Sequence, residues 1–410
     1  MSRRRTGPVA LGTLVTLLVV VAAGCGGGGD GGKTLKIVSD LPLQGSDREQ
    51  TAQMNKAIEY VLKQADNKAG DYTIEFEAFD DSTAAAGKWD EAKCAENARS
   101  YVDDDSVVGN IGTYNSGCAA IEIPILNEVD LAMVSPANTY PGLTTGGPGT
   151  ESGEPTKYYP SGTRNYARVV ANDSFQGRVD ASYMKDDLGV TKVFILDDKE
   201  LYGKGVADVF DASAKEIGLQ VVGHEGWDKD APNYSALMTK IKATGADGIF
   251  IGGVSTNNGG QLVKDKVNIV GDNDKVKLMV SDGFVLTTLF EESGNTIEGA
   301  YGSAPTKPPS QVTGKGKEFF DGFQATLPEG ESIQVYTIYA AAAAQVLLDA
   351  IAKSDGSRSD ITAKVFETSL PDSVVGNLQF DENGDPTAGT ESIYTATNGD
   401  WQWKEERAVS

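Results

Sequence analysis

The stretch GNIGTYNSGCAAIEIPILNEVDLAMVSPANTY, Gly109–Tyr140, decides the fold. Val107, Val108 and Ile111 make a short apolar strand that breaks into a polar turn, Gly112-Thr113-Tyr114-Asn115-Ser116-Gly117. A helical run follows through Ala119, Ala120, Ile121, Ile123, Ile125 and Leu126. A second strand, Leu131 to Val134, breaks into Ser135-Pro136-Ala137-Asn138-Thr139-Tyr140. Strands alternating with helices build a parallel α/β sheet, and its ligands gather where the strands end. The two turns therefore lie side by side on that edge. They offer backbone N–H groups, hydroxyls and amides, and Ser116 falls near a helix N-terminus, which suits a carboxylate or another small anion. Neither turn holds a base or nucleophile pair. The pattern is one for holding a molecule, not for transforming it.

Outward from this stretch the alternation continues in both directions. Upstream are a strand at Leu35–Val38 and a helix with Met54, Ala57, Ile58, Val61, Leu62 and Ala65 at three- and four-residue spacing. An alternating strand, Tyr72 to Phe79, and a helix carrying Cys94, Ala95, Ala98 and Val102 complete the set. Gly142 to Pro155 has no periodicity and reads as a surface excursion, and Arg164 to Val170 reads as an extended crossover. A second series follows, with strands at Lys192–Leu196, Leu219–Val222, Gly248–Ile251 and Val276–Val280, each next to a helical run. Ile297 to Ala304 is extended, residues from Gln311 are mostly helical, and Gly376–Phe380 and Ser392–Thr395 are strands. Two such series predict two α/β lobes.

At 410 residues and 40% hydrophobic the chain can bury a large core. Arg3, Arg4 and Arg5 precede an apolar run, Leu11 to Val21, and then Ala22-Ala23-Gly24-Cys25. This reads as a secretory signal over residues 1–24 whose end resembles a bacterial lipobox, with Cys25 then the lipidated first residue; the alternative is an ordinary signal peptide with a chance cysteine. Residues 25–33 form a Gly-rich tether. Residues 1–24 hold three arginines and no acid, so the net charge of −23 becomes −26 for the remainder. That acidity argues against nucleic acid and against anionic headgroups. Beyond Cys25 only Cys94 and Cys118 remain, and on an exported chain they suggest one disulfide, the alternative being two buried free thiols.

Most enzyme signatures are absent. There is no Gly-x-Gly-x-x-Gly after the first strand, no phosphate-binding loop and no Gly-x-Ser-x-Gly elbow. His224 is the only histidine, so His-pair metal sites are excluded, and its charged neighbours suggest a surface role. No metal or other cofactor is expected. Asp282, in Ser281-Asp282-Gly283 at a strand end, is either a cap or the partner of a substrate ammonium.

Several strings together carry a family resemblance: Ile111-Gly112 with Asn115-Ser116, Ser135 to Thr139, Asp198-Lys199 with Tyr202 to Gly205, and Gly376 to Leu378 with Phe380 to Asp385. The chain resembles the periplasmic leucine/isoleucine/valine-binding protein and its relatives, the type I solute-binding components of ABC importers. The resemblance implies two Rossmann-like lobes with parallel central sheets joined by three hinge strands. The N-terminal lobe is then 34–170 with 305–389, the C-terminal lobe 171–304 with 390–410, and the hinges lie near Val170, Ala304 and Gly389. It further implies that Ser116, Ala137 and Thr139 hold a ligand carboxylate and ammonium, with Tyr202 and Asp282 across the cleft. Asp282 is shorter than the usual Glu there. Asn115 and Asn138 add amides, which admit a more polar amino acid or an amide-like solute. The aromatic expected after Gly252-Gly253 is Val254 here, so branched-chain specificity is left open. The implied partners are an amino acid, a permease and ATPase complex, and the membrane through a lipid anchor, for an extracytoplasmic monomer. A ligand sensor of the same fold and a two-lobed enzyme are the rival readings.

Overall fold

A computed structural model describes residues 33–408. The expectations for the signal segment, Cys25 and the tether lie outside the described residues. The first sheet is built from β1 (Thr34–Leu41), β2 (Lys68–Ala69), β3 (Tyr72–Asp80), β6 (Val107–Gly112), β7 (Ala132–Ser135) and β8 (Tyr166–Arg168), with the small hairpin β4 (Ser82–Thr83) and β5 (Lys88–Trp89) beside it. Its order is β2-β3-β1-β6-β7-β8, parallel except where β2 pairs β3. Helices α1 (Arg48–Gln64), α2 (Glu91–Asp103) and α3 (Ser116–Asn127) are its crossovers.

The second sheet starts with β9 (Lys192–Asp197), β10 (Gln220–Gly226), β11 (Gly248–Gly252), β12 (Lys277–Val280) and β13 (Tyr301–Ala304). Helices α4 (Asp173–Asp186), α5 (Leu201–Ile217), α6 (Ser235–Thr244), α7 (Gly259–Asp265) and α8 (Thr288–Glu292) lie among these strands in the chain. The chain then returns to the first lobe as α9 (Gly314–Gln324), α10 (Thr337–Ala352), α11 (Arg358–Phe366) and the hairpin β14 (Ser369–Ser373) and β15 (Gly376–Gln379). It ends back in the second sheet with β16 (Thr390–Thr397) and β17 (Asp400–Ala408), both antiparallel, in the order β10-β9-β11-β12-β13-β16-β17. The two α/β lobes are therefore connected by three passages of the chain.

Packing explains why α10 belongs to the first lobe. Ala340 to Ala344 are fully buried in one core with Leu35, Ile37, Ile111 and Val134. Small side chains let the helix lie close to the strands: a Cβ added at Gly109 would stand 2.9 Å from Leu347. Truncating buried Leu347 to Ala would cost about 2–5 kcal/mol.

Two sequence readings need correction. The excursion from Gly142 to Pro155 is only partly on the surface. Leu143 is buried in the α3 core and the buried Glu154 carboxylate accepts from the Tyr140 and Tyr158 hydroxyls, both at 2.6 Å. His224 is half-buried, not a free surface group: Nε2 lies 3.2 Å from Asp197 Oδ2. Burial alone would lower its pKa, but Asp197, Asp208 and Asp211 outweigh that and raise it.

Candidate functional site

The two turns found in the sequence are bonded into one edge. Ser135 Oγ donates to Thr113 O (3.1 Å) and accepts from Asn138 N (2.8 Å). Asn138 Nδ2 donates to Thr113 O (2.9 Å) and Tyr114 O (3.0 Å), while its Oδ1 accepts from the Tyr166 hydroxyl (3.3 Å). Tyr140 N donates to Ser116 Oγ at 3.4 Å. Arg168, fully buried, sits 2.7 Å from Asp385 Oδ1 in a charge contact along which its Nε–H is not aimed. Its Nη1 donates to Asn138 O (3.0 Å) and Tyr140 O (2.9 Å). One guanidinium therefore fixes the second turn, and Asp385 anchors it from the segment that leads back to the second sheet.

Six of the seven residues expected at a ligand line one cavity between the lobes: Asn115, Ser116, Ala137, Thr139, Tyr202 and Asp282. Asn138 is the exception. Its amide is consumed in holding the two turns together, so it shapes the edge from beneath. Val254, at the position where the resemblance expects an aromatic, is in the lining, and residues that the sequence reading missed complete it, among them Tyr114, Glu200 and Tyr336. The lining is drawn close: about 20 Å³ remains, the space of roughly one water molecule.

Asp282 is the centre of this contact. Its Oδ1 accepts from the Tyr202 hydroxyl and its Oδ2 from the Tyr336 hydroxyl at 2.6 Å. Burial raises its pKa, and the two phenols and Gln176 offset part of that rise. Tyr336 stands edge-on to Tyr114, with ring centroids 5.9 Å apart, and Gln50 Nε2 donates to the Tyr114 hydroxyl at 2.6 Å. At the rim, Lys88 from the β4–β5 hairpin pairs with Glu200 and donates to Asn257 Oδ1, while Trp89 Nε1 donates to Glu200 Oε2 at 3.2 Å. Ser46 Oγ donates to Glu292 Oε1 at 2.6 Å on the same closure. Under the rim, Asp198 accepts from Glu200 N (3.0 Å), Val254 N (3.1 Å) and Asn257 Nδ2 (2.9 Å). Burial and the nearby Glu200 push its pKa up to about 7.

Cys94 and Cys118 are joined as a disulfide, Cα–Cα 5.7 Å. Among the described residues, two acidic groups, Asp81 with Cys94 and Cys118 and Asp40 with Cys118 and Glu122, have the spacing of metal ligands. Both depend on sulfur already committed to the disulfide, which removes the thiolate that a metal would need.

The two lobes meet over a polar cleft lined by the carboxylates of Asp282 and Glu200, three phenols and the N-terminus of α3, an arrangement that can enclose a small polar molecule. The chain belongs to the periplasmic binding protein family, whose model matches residues 34–398. It is 27% identical over 377 residues to Leu/Ile/Val-binding protein homolog 1 of Brucella suis biovar 1, covering 91% of this chain and 92% of that one. An amino acid binding protein of Pseudomonas aeruginosa is 25% identical over 302 residues, covering 72% and 74%. In fold it is similar to a leucine binding protein, LivK, of Thermotoga maritima, with TM-score 0.78, 22% identity and 91% and 99% of the chains covered. It is also similar to LivJ of Streptococcus pneumoniae in complex with isoleucine, with TM-score 0.76, 21% identity and coverage of 92% and 99%. A Rhodopseudomonas palustris solute binding protein in complex with p-hydroxybenzoic acid gives 0.74, 19%, and 92% and 98%. No helix among the described residues is long and apolar enough to cross a membrane.

Proposed function

We propose that this chain is the solute-capturing lipoprotein of an ABC importer, and that it encloses an amino acid between its lobes for delivery to a permease and ATPase. The observation that carries the reading is the meeting of Ser116, Ala137 and Thr139 from one lobe with Tyr202 and Asp282 from the other around one cavity. The first N–H groups of α3 are free of intrahelical partners and suit a carboxylate. Asp282 suits the ammonium, and a carboxylate-only ligand would set a second negative charge against that acid with no cation between them. Capture is closure about hinges near Val170, Ala304 and Gly389, between units 34–170 with 305–389 and 171–304 with 390–410. The chain acts as a monomer, without catalysis, cofactor or nucleic acid.

Mass spectrometry of small molecules released by denaturing freshly purified protein tests the reading; an α-amino acid is expected at near-stoichiometric amount, and recovery of a solute without an ammonium would overturn it. The anchor has its own test. Cys25→Ala protein should leave the membrane fraction, because acyl chains and not a spanning helix hold it; a variant that still pellets after a high-salt wash would remove the lipid anchor from the proposal.

A further inference from the structure

We propose that the hinge carries a second binding site, for a small monocarboxylate with an apolar body, separate from the cleft and independent of what the cleft holds. A cavity of about 360 Å³ is lined by all three passages between the lobes, a volume in the range of small-molecule sites. Val169 and Ala171 belong to the first passage, Pro305 and Lys307 to the second, and Gly389 to the third. The cavity shares no lining residue with the one around Asp282.

The rest of the wall comes from the first lobe: Ile338 and Tyr339 of α10, Val312 ahead of α9, and Val375 and Leu378 of the β14–β15 hairpin. Ile338 and Leu378 are buried, whereas Gln311, Thr313 and Asn377 are exposed, so an apolar floor opens to water through a polar mouth. Lys307 is the one charged residue in this lining, in a chain whose net charge is −23. Its ammonium lies 3.0 Å from Glu406 Oε1, at side-chain exposures of 38% and 32%. A pair so exposed is weak, and an ammonium has three donors, so Lys307 retains donors for an entering anion. One carboxylate on Lys307 and an apolar body against Ile338, Val375 and Leu378 complement the cavity. A cation would meet Lys307 as a like charge, and a second anionic group would find no partner.

The passages are where hinge motion takes place, since closure is absorbed by the backbone dihedrals of a few connecting residues. Here they are pressed together: a Cβ added at Gly389 would stand 2.8 Å from the Cβ of Ala171. Lys307 also ties the second passage to Glu406 on β17 of the second sheet. The shape of the cavity therefore belongs to one arrangement of the lobes, the closed one. An occupant that fits it favours closure by the difference between its affinities for the two arrangements. By linkage, a solute in the cleft strengthens the binding of that occupant by the same factor.

Octanoate and 1-octanol share a chain and differ in charge, so calorimetric titration of the ligand-free protein with both isolates the role of Lys307. Octanoate should fill one site at least about tenfold more tightly than octanol, the ratio of one charged hydrogen bond. Lys307→Gln should abolish that ratio, and Val375→Trp, which fills the cavity from an exposed turn, should weaken both ligands in protein that still melts cooperatively. Excess leucine should not displace octanoate. No saturable octanoate binding, binding that neither variant weakens, or displacement by leucine would overturn the second site. In Tyr336→Phe protein, which lacks one bond between the closed lobes, saturating octanoate should reduce the radius of gyration in small-angle scattering. An unchanged or larger radius would overturn the coupling of this site to closure.

Discussion

The Tyr336 hydroxyl donates to Asp282 Oδ2 at 2.6 Å, although Tyr336 packs in the core of the first lobe and Asp282 follows the strand β12 of the second. The bond exists only while the lobes are closed, so it contributes to closure and not to the folding of either lobe. Tyr336→Phe should leave both lobes folded and weaken ligand affinity by about 0.5–3 kcal/mol, the span from a neutral bond to one with a charged acceptor. Asp282→Asn removes the charge proposed to hold the ammonium and should cost about 1.5–3 kcal/mol. Calorimetry measures both. Small-angle scattering should also show Tyr336→Phe more open without ligand, and an unchanged scattering curve with unchanged affinity would remove the bond from the closing contacts.

Lys88 and Glu200 form an ion pair between the lobes, at side-chain exposures of 12% and 20%. Being half-sheltered, the pair is less screened than a surface bridge. Lys88→Met should leave association almost unaltered and speed ligand release by roughly five- to a hundredfold, since losing one partner of a sheltered pair acts on the off-rate. Stopped-flow displacement with a fluorescent competitor reads this directly. An on-rate effect alone would mean that Lys88 steers the ligand instead of latching the lobes.

What the sequence shows of all this follows from how local each signal is. The strands and helices are legible because apolar periodicity is a property of ten or so neighbouring residues. The turns at Asn115–Ser116 and Ala137–Thr139 are legible because adjacent parallel strands must end on one edge. Tyr336 is not, since its partner lies 54 residues upstream and across the cleft. The two-residue strands β4 and β5 are too short to show a period, so Lys88 and Trp89 went unnoticed. The polar face of α4 formed by Asp173, Gln176 and Asp180 has the spacing of an ordinary solvated face, and only the packing shows it to be buried.

Asp198 supplies a pH prediction. Burial and Glu200 lift its carboxyl from the ordinary 3.8 to about 7 in the folded chain. Between those values the folded state binds the proton and the unfolded state does not, so stability falls as pH rises from about 4 to about 7. The contribution present below pH 4 is on the order of a few kcal/mol and is lost above pH 7. Asn imitates the protonated carboxyl, so Asp198→Asn should melt at a less pH-dependent temperature and exceed the wild type most clearly near pH 8. Parallel melting curves for the two proteins across pH 4–8 would show that Asp198 does not carry this proton.

Cys94 lies in α2 and Cys118 in the first turn of α3, two residues after Ser116, so their disulfide ties the helix that carries Ser116 to its neighbour. The bridge spans a separation of 24 residues, and closing such a loop restricts the unfolded chain by about 3.5 kcal/mol in the chain-entropy treatment. A Cys25→Ala form contains only these two cysteines, which makes the chemistry unambiguous. Alkylation of the denatured form without reductant should add nothing to the intact mass, and alkylation after reduction should add two groups. The Cys94→Ser, Cys118→Ser double variant should lose about that stability in urea titrations. It should also bind ligand more weakly, because Ser116 and the free N–H groups of α3 would no longer be held by α2. Full affinity in the destabilised variant would confine the bridge to folding and leave the turn positioned by Ser135, Asn138 and Arg168 alone.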